Sequence, residues 1–380
     1  MKKIGIYVHF PFCASKCHYC NFNSYSDKSH LQNDYIQALL TEIASYKSNK
    51  LLVDSIFIGG GTPSFMPDGT ISTIISEIKK CFAVDIDAEI TIECNPNSVN
   101  STKAIEWKNA GVNRVSIGLQ TANEKLLKLI GRIHTKKDYL NAVECIRNAG
   151  INNINTDCLI GLPKQQLSDV KHTLKIVTKL QCTHCSVYSL IVEKDTKLAQ
   201  MLENKELTLP KEEKSLGMYE YACKFLKENG FNRYEVSNFA KKGFECRYNM
   251  NTWQMGEYLG FGAGAHSYID NRRYSNVSGI EDYINAINLK KSAVENNEKI
   301  SNSEKFEETV MLGLRTKYGI DLDEIKKNFK IDLLKTKRET INNLLSNGFI
   351  NLVYNKIIPT DLGFTVLNKI ILELVSWFII

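Results

Sequence analysis

Short runs of apolar and β-branched residues alternate with amphipathic stretches through the first 230 residues. The amphipathic stretches place apolar residues three or four positions apart, which is typical of helices that cover one face of a sheet; they span residues 31–47, 104–111, 137–150 and 167–180. The apolar runs predict six strands, Ile4–Val8, Ser55–Gly59, Glu89–Glu93, Arg114–Gly118, Asn153–Leu159 and Ser186–Leu190. This alternation predicts an α/β fold with a parallel sheet, closed or partly closed into a barrel. A doubly wound sheet fits the same pattern.

The rhythm changes from about Pro210 onwards. A helix is predicted over 211–230, followed by a loop-rich, aromatic and glycine-dense region to Tyr274, then a helix and a polar linker over 280–300. Two capping-box patterns predict helix starts, one over residues 121–124 and one over residues 301–304. We therefore expect a barrel over 1–235, a loop-rich connecting region over 236–300 and a small separate domain over 301–380.

The last 18 residues are apolar, but Lys369 and Glu373 interrupt them, so they do not predict a helix that spans a membrane. Four apolar residues fall on one helical face, Leu367, Ile370, Leu374 and Phe378. Packing of this face on the core of the C-terminal domain is favoured over membrane contact.

Composition narrows the classes of protein without choosing one. The 380 residues are 43% hydrophobic and 24% charged, which is ordinary for a globular protein and excludes disordered and fibrous classes. The 48 basic and 42 acidic residues give a net charge of +6, too weak to demand or exclude a nucleic-acid or membrane partner. No signal-peptide core precedes His9, so the eleven cysteines are expected to be reduced, in the cytoplasm.

Three of these cysteines form the strongest chemical signal. Cys13, Cys17 and Cys20 follow the first predicted strand with C-x3-C-x2-C spacing. Three thiolates so close together can hold a [4Fe–4S] cluster, and no fourth cysteine follows before Cys81, which leaves one iron open to a ligand. The alternatives are three packed cysteines or a structural zinc site. Packing is the simpler explanation for other cysteines of the chain, Cys81, Cys145, Cys158, Cys182, Cys185 and Cys223.

Polar residues and glycines recur at the ends of the predicted strands. The segment Gly59–Pro63 reads GGGTP and offers a backbone that a ligand can approach closely. Other polar residues end or follow later strands, namely Glu93, Asn95, Gln120 and Asp157, and Arg132 follows the next helix. A barrel places all of them around one mouth, where active sites of such folds are built.

These motifs together resemble the radical S-adenosylmethionine (SAM) superfamily, and within it the branch of oxygen-independent coproporphyrinogen III oxidase and the haem chaperone HemW. The resemblance covers most of the chain and runs through the segments YVHFPFCASKCHYCNF, IFIGGGTPS, ITIECNP, SIGLQT, GRIHT, NTDCLIGLP, NRYEVSNFA and YLGFGAGAHS. It implies a partial (β/α)6 barrel with a small helical, winged-helix-like C-terminal domain.

The resemblance also implies roles for individual residues. Cys13, Cys17 and Cys20 would ligate the cluster, and its open iron would bind the first SAM, held by Tyr7, Gly60 and Glu93, with His266 nearby. Positions that contact a second SAM in the oxidase correspond to Tyr19, Gly61, Thr62, Gln120, Arg132, Asp157 and Ile191. In the superfamily, the reduced cluster cleaves SAM to methionine and a radical that abstracts hydrogen from a substrate.

Two departures from the oxidase pattern favour the haem chaperone. The oxidase carries a fourth cysteine where this chain has Phe22, and it has a long N-terminal extension, whereas 12 residues precede Cys13 here. The expected partners are therefore haem and haem-accepting proteins such as respiratory cytochromes, some at the membrane, and no nucleic acid. Oxidative decarboxylation of coproporphyrinogen III is the alternative; modification of RNA, suggested by the lysine-rich run 326–340, is a weaker third hypothesis.

One segment departs from the chaperone pattern. The chaperone typically carries an H-N-x-x-Y-W motif associated with haem, and here the corresponding residues 248–253 read YNMNTW, which keeps Asn249 and Trp253. Tyr248 is either a replacement haem ligand or an aromatic packing residue. Other candidate haem ligands are His9, His266 and Cys246.

Overall fold

The computed structural model of the chain describes residues 1–290 and 292–376. Its strands are β1 Lys2–Phe10, β2 Ser48–Gly60, β3 Phe82–Cys94, β4 Arg114–Gln120, β5 Asn153–Ile160, β6 His184–Ser189, β7 Asn232–Arg233, β8 Asn238–Ala240, β9 Tyr258–Phe261, β10 His266–Ile269, β11 Arg272–Asn276, β12 Val294–Lys299, β13 Ile320–Asp321, β14 Ile350–Val353 and β15 Lys356–Pro359. Its helices are α1 Gln32–Ser45, α2 Thr70–Cys81, α3 Ser101–Ala110, α4 Glu124–Leu129, α5 Lys136–Asn148, α6 Leu167–Lys179, α7 Lys197–Glu203, α8 Glu212–Glu228, α9 Arg247–Trp253, α10 Ile280–Lys290, α11 Asn302–Gly313, α12 Leu322–Phe329, α13 Leu333–Thr336, α14 Arg338–Ser346 and α15 Leu367–Val375.

The strand order decides between the two architectures that the sequence pattern allows. Strands β1 to β6 lie side by side in chain order, and each pairs in parallel with the next. A doubly wound sheet would instead reverse its direction of growth at a switch point. The fold is therefore the predicted α/β partial barrel, and β1 to β6 contain or overlap the six predicted strands.

Shorter strands extend both ends of the six-stranded unit. Next to β1 lies β9, in parallel register, followed by β10, β11 and β12 in antiparallel register, while β8 and β7 extend the sheet beyond β6. The polar linker predicted after the helix at 280 is wrong, because Val294–Lys299 forms edge strand β12. Its side chains are mostly exposed, as is common on edge strands, where charges discourage pairing with other chains.

The main hydrophobic core lies between the outer face of the sheet and the helices that cover it. Each strand turns alternate side chains outward into this core, and examples from the middle of consecutive strands are Ile6, Ile56, Ile92, Ile117 and Ile154. Four of the cysteines assigned to packing lie in the same core, namely Cys81, Cys158, Cys182 and Cys185. The inner face of the sheet keeps the polar residues that form the site described below.

Helix α4 is present where the first capping box predicts it, but its cap is different. The Asn123 side chain accepts hydrogen bonds from the backbone N–H groups of Lys125 and Leu126, whereas Thr121 lies two residues before this N-cap. The second predicted capping box is confirmed, because the Ser301 side chain and Glu304 bond each other's backbone N–H groups at the start of α11.

The C-terminal part contains helices α11 to α15 and a small antiparallel sheet in the order β13-β15-β14. Its apolar side chains form a second core, in which Leu367, Ile370 and Leu374 of α15 are buried as predicted; Phe378 lies outside the described residues. Within the described ranges, none of the helices has both the length and the apolar character needed to cross a membrane.

Candidate functional site

A cavity of about 120 Å³ lies at the carboxyl ends of the central strands, where the loops of a barrel meet. Eleven of the fourteen predicted site residues line it, namely Cys13, Cys17, Tyr19, Cys20, Gly60, Gly61, Thr62, Glu93, Gln120, Arg132 and Asp157. The fold thus brings together residues that are up to 144 positions apart in the chain, from Cys13 to Asp157.

The cysteine loop leaves the end of β1 and is held at several points. The backbone N–H of Cys13 donates to the carbonyl of Tyr25 at 2.9 Å, which closes the loop on itself. The Asn23 amide donates to the carbonyls of Ala263 at 3.1 Å and Ser278 at 2.9 Å, which fixes the loop to the segments after β9 and β11. The three cysteines are therefore presented by a loop that is anchored to itself and to two other segments of the chain.

Each cysteine sulfur has a polar neighbour. The Thr62 hydroxyl donates to the Cys13 sulfur at 3.4 Å, the Arg132 guanidinium donates to the Cys17 sulfur at 3.5 Å, and the Ser24 hydroxyl lies 4.0 Å from the Cys20 sulfur. Burial raises the pKa of the Cys13 and Cys20 thiols. Hydrogen bonds to sulfur favour the thiolate that binds iron and tune the potential of a cluster.

This arrangement suits a cluster better than a single ion. In the described part of the chain, no three histidine, cysteine or acidic side chains converge on one metal-ion position. A cubane cluster does not need such convergence, because each cysteine ligates a different iron. The three cysteines instead line one cavity, as the ligands of a single cluster would.

Two glycines let the loop after β2 pack directly against the cysteine loop. A Cβ atom on Gly61 would lie 2.7 Å from the Phe12 carbonyl oxygen and 3.0 Å from the Cys13 sulfur. Gly60 has a φ of +110°, and a Cβ there would lie 2.7 Å from the His9 ring. Because only glycine fits both positions, the GGGTP segment is a structural requirement of the cavity.

Two buried carboxyl groups face the cavity. Burial, with a smaller contribution from Asp157, raises the pKa of Glu93 to about 8, and the Gly60 N–H donates to its Oε2 at 3.1 Å. Burial also raises the pKa of Asp157, which accepts hydrogen bonds from Ser116 at 3.0 Å and Asn155 at 2.8 Å. Buried acids of this kind bind a ligand's ammonium or other N–H donors well, since such donors restore their charge.

Arg132 connects the cysteine loop to the strand ends. Its Nη2 donates to the Asn95 side chain at 2.7 Å and to the Gly118 carbonyl at 2.6 Å, while its Nη1 reaches Cys17. Gln120, which ends β4, has a φ of +65°, a strained backbone typical of functional sites.

The chain as a whole was compared with known proteins. Residues 7–177 match the family model "Radical SAM superfamily", and residues 300–366 match "HemN C-terminal domain". The chain is 35% identical to the heme chaperone HemW of Bacillus subtilis, over 91% of this chain and 92% of the relative. It is also 35% identical to the heme chaperone HemW of Lactococcus lactis, over 97% and 96%. The chain belongs to the HemW family.

A more distant relative and a solved structure are also similar to the chain. The bovine mitochondrial radical S-adenosyl methionine domain-containing protein 1 is 30% identical over 99% of this chain and 88% of its own length. The structure of Escherichia coli coproporphyrinogen III oxidase (HemN) matches with a TM-score of 0.86 at 22% identity, covering 99% of this chain and 90% of that chain. At this identity the likeness shows the fold alone. Membership of the radical SAM superfamily implies a [4Fe–4S] cluster and SAM as cofactors.

Three residues that the HemW resemblance assigns to SAM lie outside the cavity lining. Tyr7 is half-buried and shares a 3.0 Å hydrogen bond with His9. Burial, with a smaller contribution from the Glu93 carboxyl, raises the pKa of its phenol. Ile191 is 71% exposed beyond the end of β6, and His266 is exposed at the start of β10. The structure brings neither Ile191 nor His266 to the cavity.

Several lining residues were missed by the sequence analysis. Ser116 and Gly118 share the inward face of β4 with Gln120, and this spacing of two could have found them. Phe22, at the position of the oxidase's fourth cysteine, also lines the cavity and is 67% exposed. Nothing in the sequence predicts that Cys94 lines the cavity, because an isolated cysteine within a strand cannot be distinguished from a core residue.

The structure places Tyr248 of the altered HemW motif in contact with other aromatic side chains. Its ring lies 6.1 Å from Tyr7, 5.3 Å from Phe57 and 6.1 Å from Tyr258, in an aromatic cluster between α9 and the strands. Burial raises the pKa of its phenol well above the ordinary value, which opposes the phenolate that would bind iron. Tyr248 is a packing residue.

Proposed function

We propose that this protein is a cytoplasmic haem chaperone that carries a [4Fe–4S] cluster on Cys13, Cys17 and Cys20, binds SAM at the same cavity, and passes haem to acceptor proteins such as respiratory cytochromes. The observation that carries the proposal is the identity of 35% to proteins named heme chaperone HemW over 91% or more of the chain. The shared cavity of the three cysteines supports the cluster assignment.

Two separate groups of residues at the cavity would contact the two SAM molecules. We assign the first SAM to Tyr7, Gly60 and Glu93, and a second SAM contact to Tyr19, Gly61, Thr62, Gln120, Arg132 and Asp157. Contacts of Ile191 and His266 rest on the family resemblance alone. When bound, a reduced [4Fe–4S] cluster supplies a low-potential electron.

The protein's own residues prepare this cavity for charged ligands. Burial raises the pKa of both Glu93 and Asp157, to about 8 for Glu93, and a bound ammonium group would lower the pKa of each again. Gly60 donates its N–H to Glu93, which orients the carboxyl toward the cavity. Arg132 keeps its charge and holds the cysteine loop against β4.

Coproporphyrinogen III dehydrogenase is the second candidate function, favoured by the fold likeness to the oxidase HemN. Against it stands Phe22, which lines the cavity where the resemblance places the oxidase's fourth cysteine. Anaerobic incubation of cluster-loaded protein with SAM, a reductant and coproporphyrinogen III separates the two. We expect the porphyrinogen to persist and haem to pass to an apo-cytochrome; formation of protoporphyrinogen would contradict the chaperone assignment.

The cluster assignment has its own test. We expect Cys17→Ala to remove most of the iron and sulfide that the wild-type protein takes up on anaerobic reconstitution, because a cubane held by two cysteines is labile. Cys145→Ala is the matched control, since Cys145 is half-buried on α5 and contacts Ser101. Full cluster content in Cys17→Ala would show that the ligand assignment is wrong.

A further inference from the structure

A groove of about 640 Å³ lies between helix α8 and the C-terminal part of the chain, away from the cysteine cavity. Its volume falls in the range of small-molecule and cofactor sites. Helix α8 contributes Tyr219 and Cys223 to one wall, and the segment after β15 contributes Leu362 and Phe364 to the other. The groove is thus built by the two hydrophobic cores together.

The floor of the groove is apolar and aromatic. Phe239 and Pro359 are buried beneath it, and Ile358 and Phe364 are partly exposed to it. The Arg233 guanidinium lies 3.9 Å from the centre of the Phe364 ring, a cation–π contact that joins the two side chains. The apolar side chains of the floor suit a largely apolar ligand.

The rim of the groove carries four basic side chains and two acidic ones, Glu220 and Asp361. Lys224 and Lys227 of α8 are exposed there, and Lys227 is paired only loosely, 3.6 Å from Asp361 with both groups largely in solvent. Arg233 donates to Asp361 at 2.6 Å, and Lys317 pairs with Glu245 at 2.9 Å. The two lysines of α8 therefore remain available to an anionic ligand, and exposed pairs of this kind are easily exchanged.

The wall also carries one side chain that binds iron readily. Cys223, assigned to core packing from the sequence, is half-buried and lines the groove, with its sulfur 4.0 Å from the Arg233 guanidinium. The neighbouring Tyr219 hydroxyl donates to the Val236 carbonyl at 2.5 Å and is already engaged. Burial raises the pKa of the Cys223 thiol and the Arg233 guanidinium opposes that shift; loss of the thiol proton on binding would leave a thiolate, a known axial ligand of haem iron.

We propose that this groove binds the haem cargo, with the porphyrin on the aromatic floor, the two propionates toward Lys224 and Lys227, and the Cys223 sulfur on the iron. This inference rests on the proposed function and names the site that the function requires. Three independent features meet in one place: an apolar floor, two exposed lysines on one side and a soft ligand in the wall. Ligation forms an iron–sulfur bond and releases the thiol proton to solvent.

The test is a haemin titration of the full, cluster-loaded chain, followed by the Soret absorption band. We expect the double variant Lys224→Glu/Lys227→Glu to bind haemin roughly tenfold more weakly, because two favourable charges become repulsive. Lys214→Glu, an exposed lysine on the same helix outside the groove, is the matched control and should bind like the wild type. Iron-free protoporphyrin should show the same dependence on the lysines.

A second variant tests the iron ligand. We expect Cys223→Ser to shift the Soret band and to remove the thiolate signature of the ferric protein, whereas Cys145→Ser should leave both unchanged. An unchanged spectrum in Cys223→Ser overturns the ligand assignment, and unchanged affinity in the double lysine variant overturns the site. A wild-type protein that takes up no haemin would instead contradict the proposed function, so the two failures are distinguishable.

Discussion

Glu93 shows how a single buried carboxyl couples the cavity to pH. Its pKa is about 8 in the folded protein, against an ordinary 4.5, because burial disfavours the charged form. Between these two values the folded state binds more protons than the unfolded state, so the stability that the raised pKa contributes is full below pH 4.5 and is lost as the pH rises through 8.

Replacing this carboxyl should therefore change the pH dependence of stability. We expect Glu93→Gln to be more stable than the wild type at pH 8.5, by roughly 4 kcal/mol, and to match it near pH 4.5, because Gln carries no proton to lose. Denaturant unfolding of the cluster-free protein at both pH values measures the difference. Glu144→Gln, at an exposed position on α5, should show no such dependence; equal curves for Glu93→Gln and wild type would refute the argument.

Gly61 sets the distance between two loops, and one methyl group should disturb it. We expect Gly61→Ala to push the cysteine loop away, because its Cβ would meet the Phe12 carbonyl at 2.7 Å and the Cys13 sulfur at 3.0 Å. The measurable results are lower iron uptake on reconstitution and a loss of about 1–3 kcal/mol in unfolding free energy. Gly217→Ala, in α8 with nothing within 4 Å of the added Cβ, should instead stabilise by about 0.5–1 kcal/mol.

At the scale of elements, local sequence patterns predicted the strands and helices that form from the residues of one segment. They failed for elements whose conformation depends on contacts with distant segments. The strand β2 was found from its apolar run, but the edge strand β12 was not, because VENNEK has a strand conformation only through its pairing with β11. Likewise the cavity residues at strand ends were predictable, since parallel strands point the same way. The distance from His266 to the cavity depends on β9 lying between β10 and β1, which no local pattern reveals.

Substitutions of Tyr248 in helix α9 distinguish a packing role from haem ligation. We expect Tyr248→Ala to cost about 2–4 kcal/mol of unfolding free energy, because the aromatic cluster with Tyr7 and Phe57 loses a member. Tyr354→Ala, at a side chain that is 95% exposed, should change stability by less than about 0.5 kcal/mol. Tyr248→Phe should leave the absorption spectrum of bound haem unchanged; a shifted Soret band would restore the phenol as a ligand.

For the whole molecule, the sheet is more continuous than the sequence suggested. The expected boundary at residue 235 falls between β7 and β8, while β9 lies beside β1 in the middle of the sheet. Glu42 of α1 joins these distant parts, because its carboxylate accepts from the Gly262 N–H at 2.8 Å and from Asn276 and Tyr283 at 2.6 Å each. The boundaries at 235 and 300 remain predictions. The three donors to Glu42 all lie between residues 235 and 300, so these contacts argue against the first boundary and leave the second unaffected.

This asymmetry predicts how fragments of the chain will behave. A fragment of residues 1–235 would expose the β1 edge and leave Glu42 buried without its three donors, and removing partners from a buried acid costs several kcal/mol. A fragment of residues 1–300 keeps β9 to β12 and the main core, and loses its contacts with the C-terminal part, among them Arg233 with Asp361, Arg273 with Glu308 and Glu245 with Lys317. We expect 1–300 to unfold cooperatively and to resist limited proteolysis, and 1–235 to do neither. Cooperative unfolding of 1–235 would show that the barrel ends where the sequence first placed its boundary.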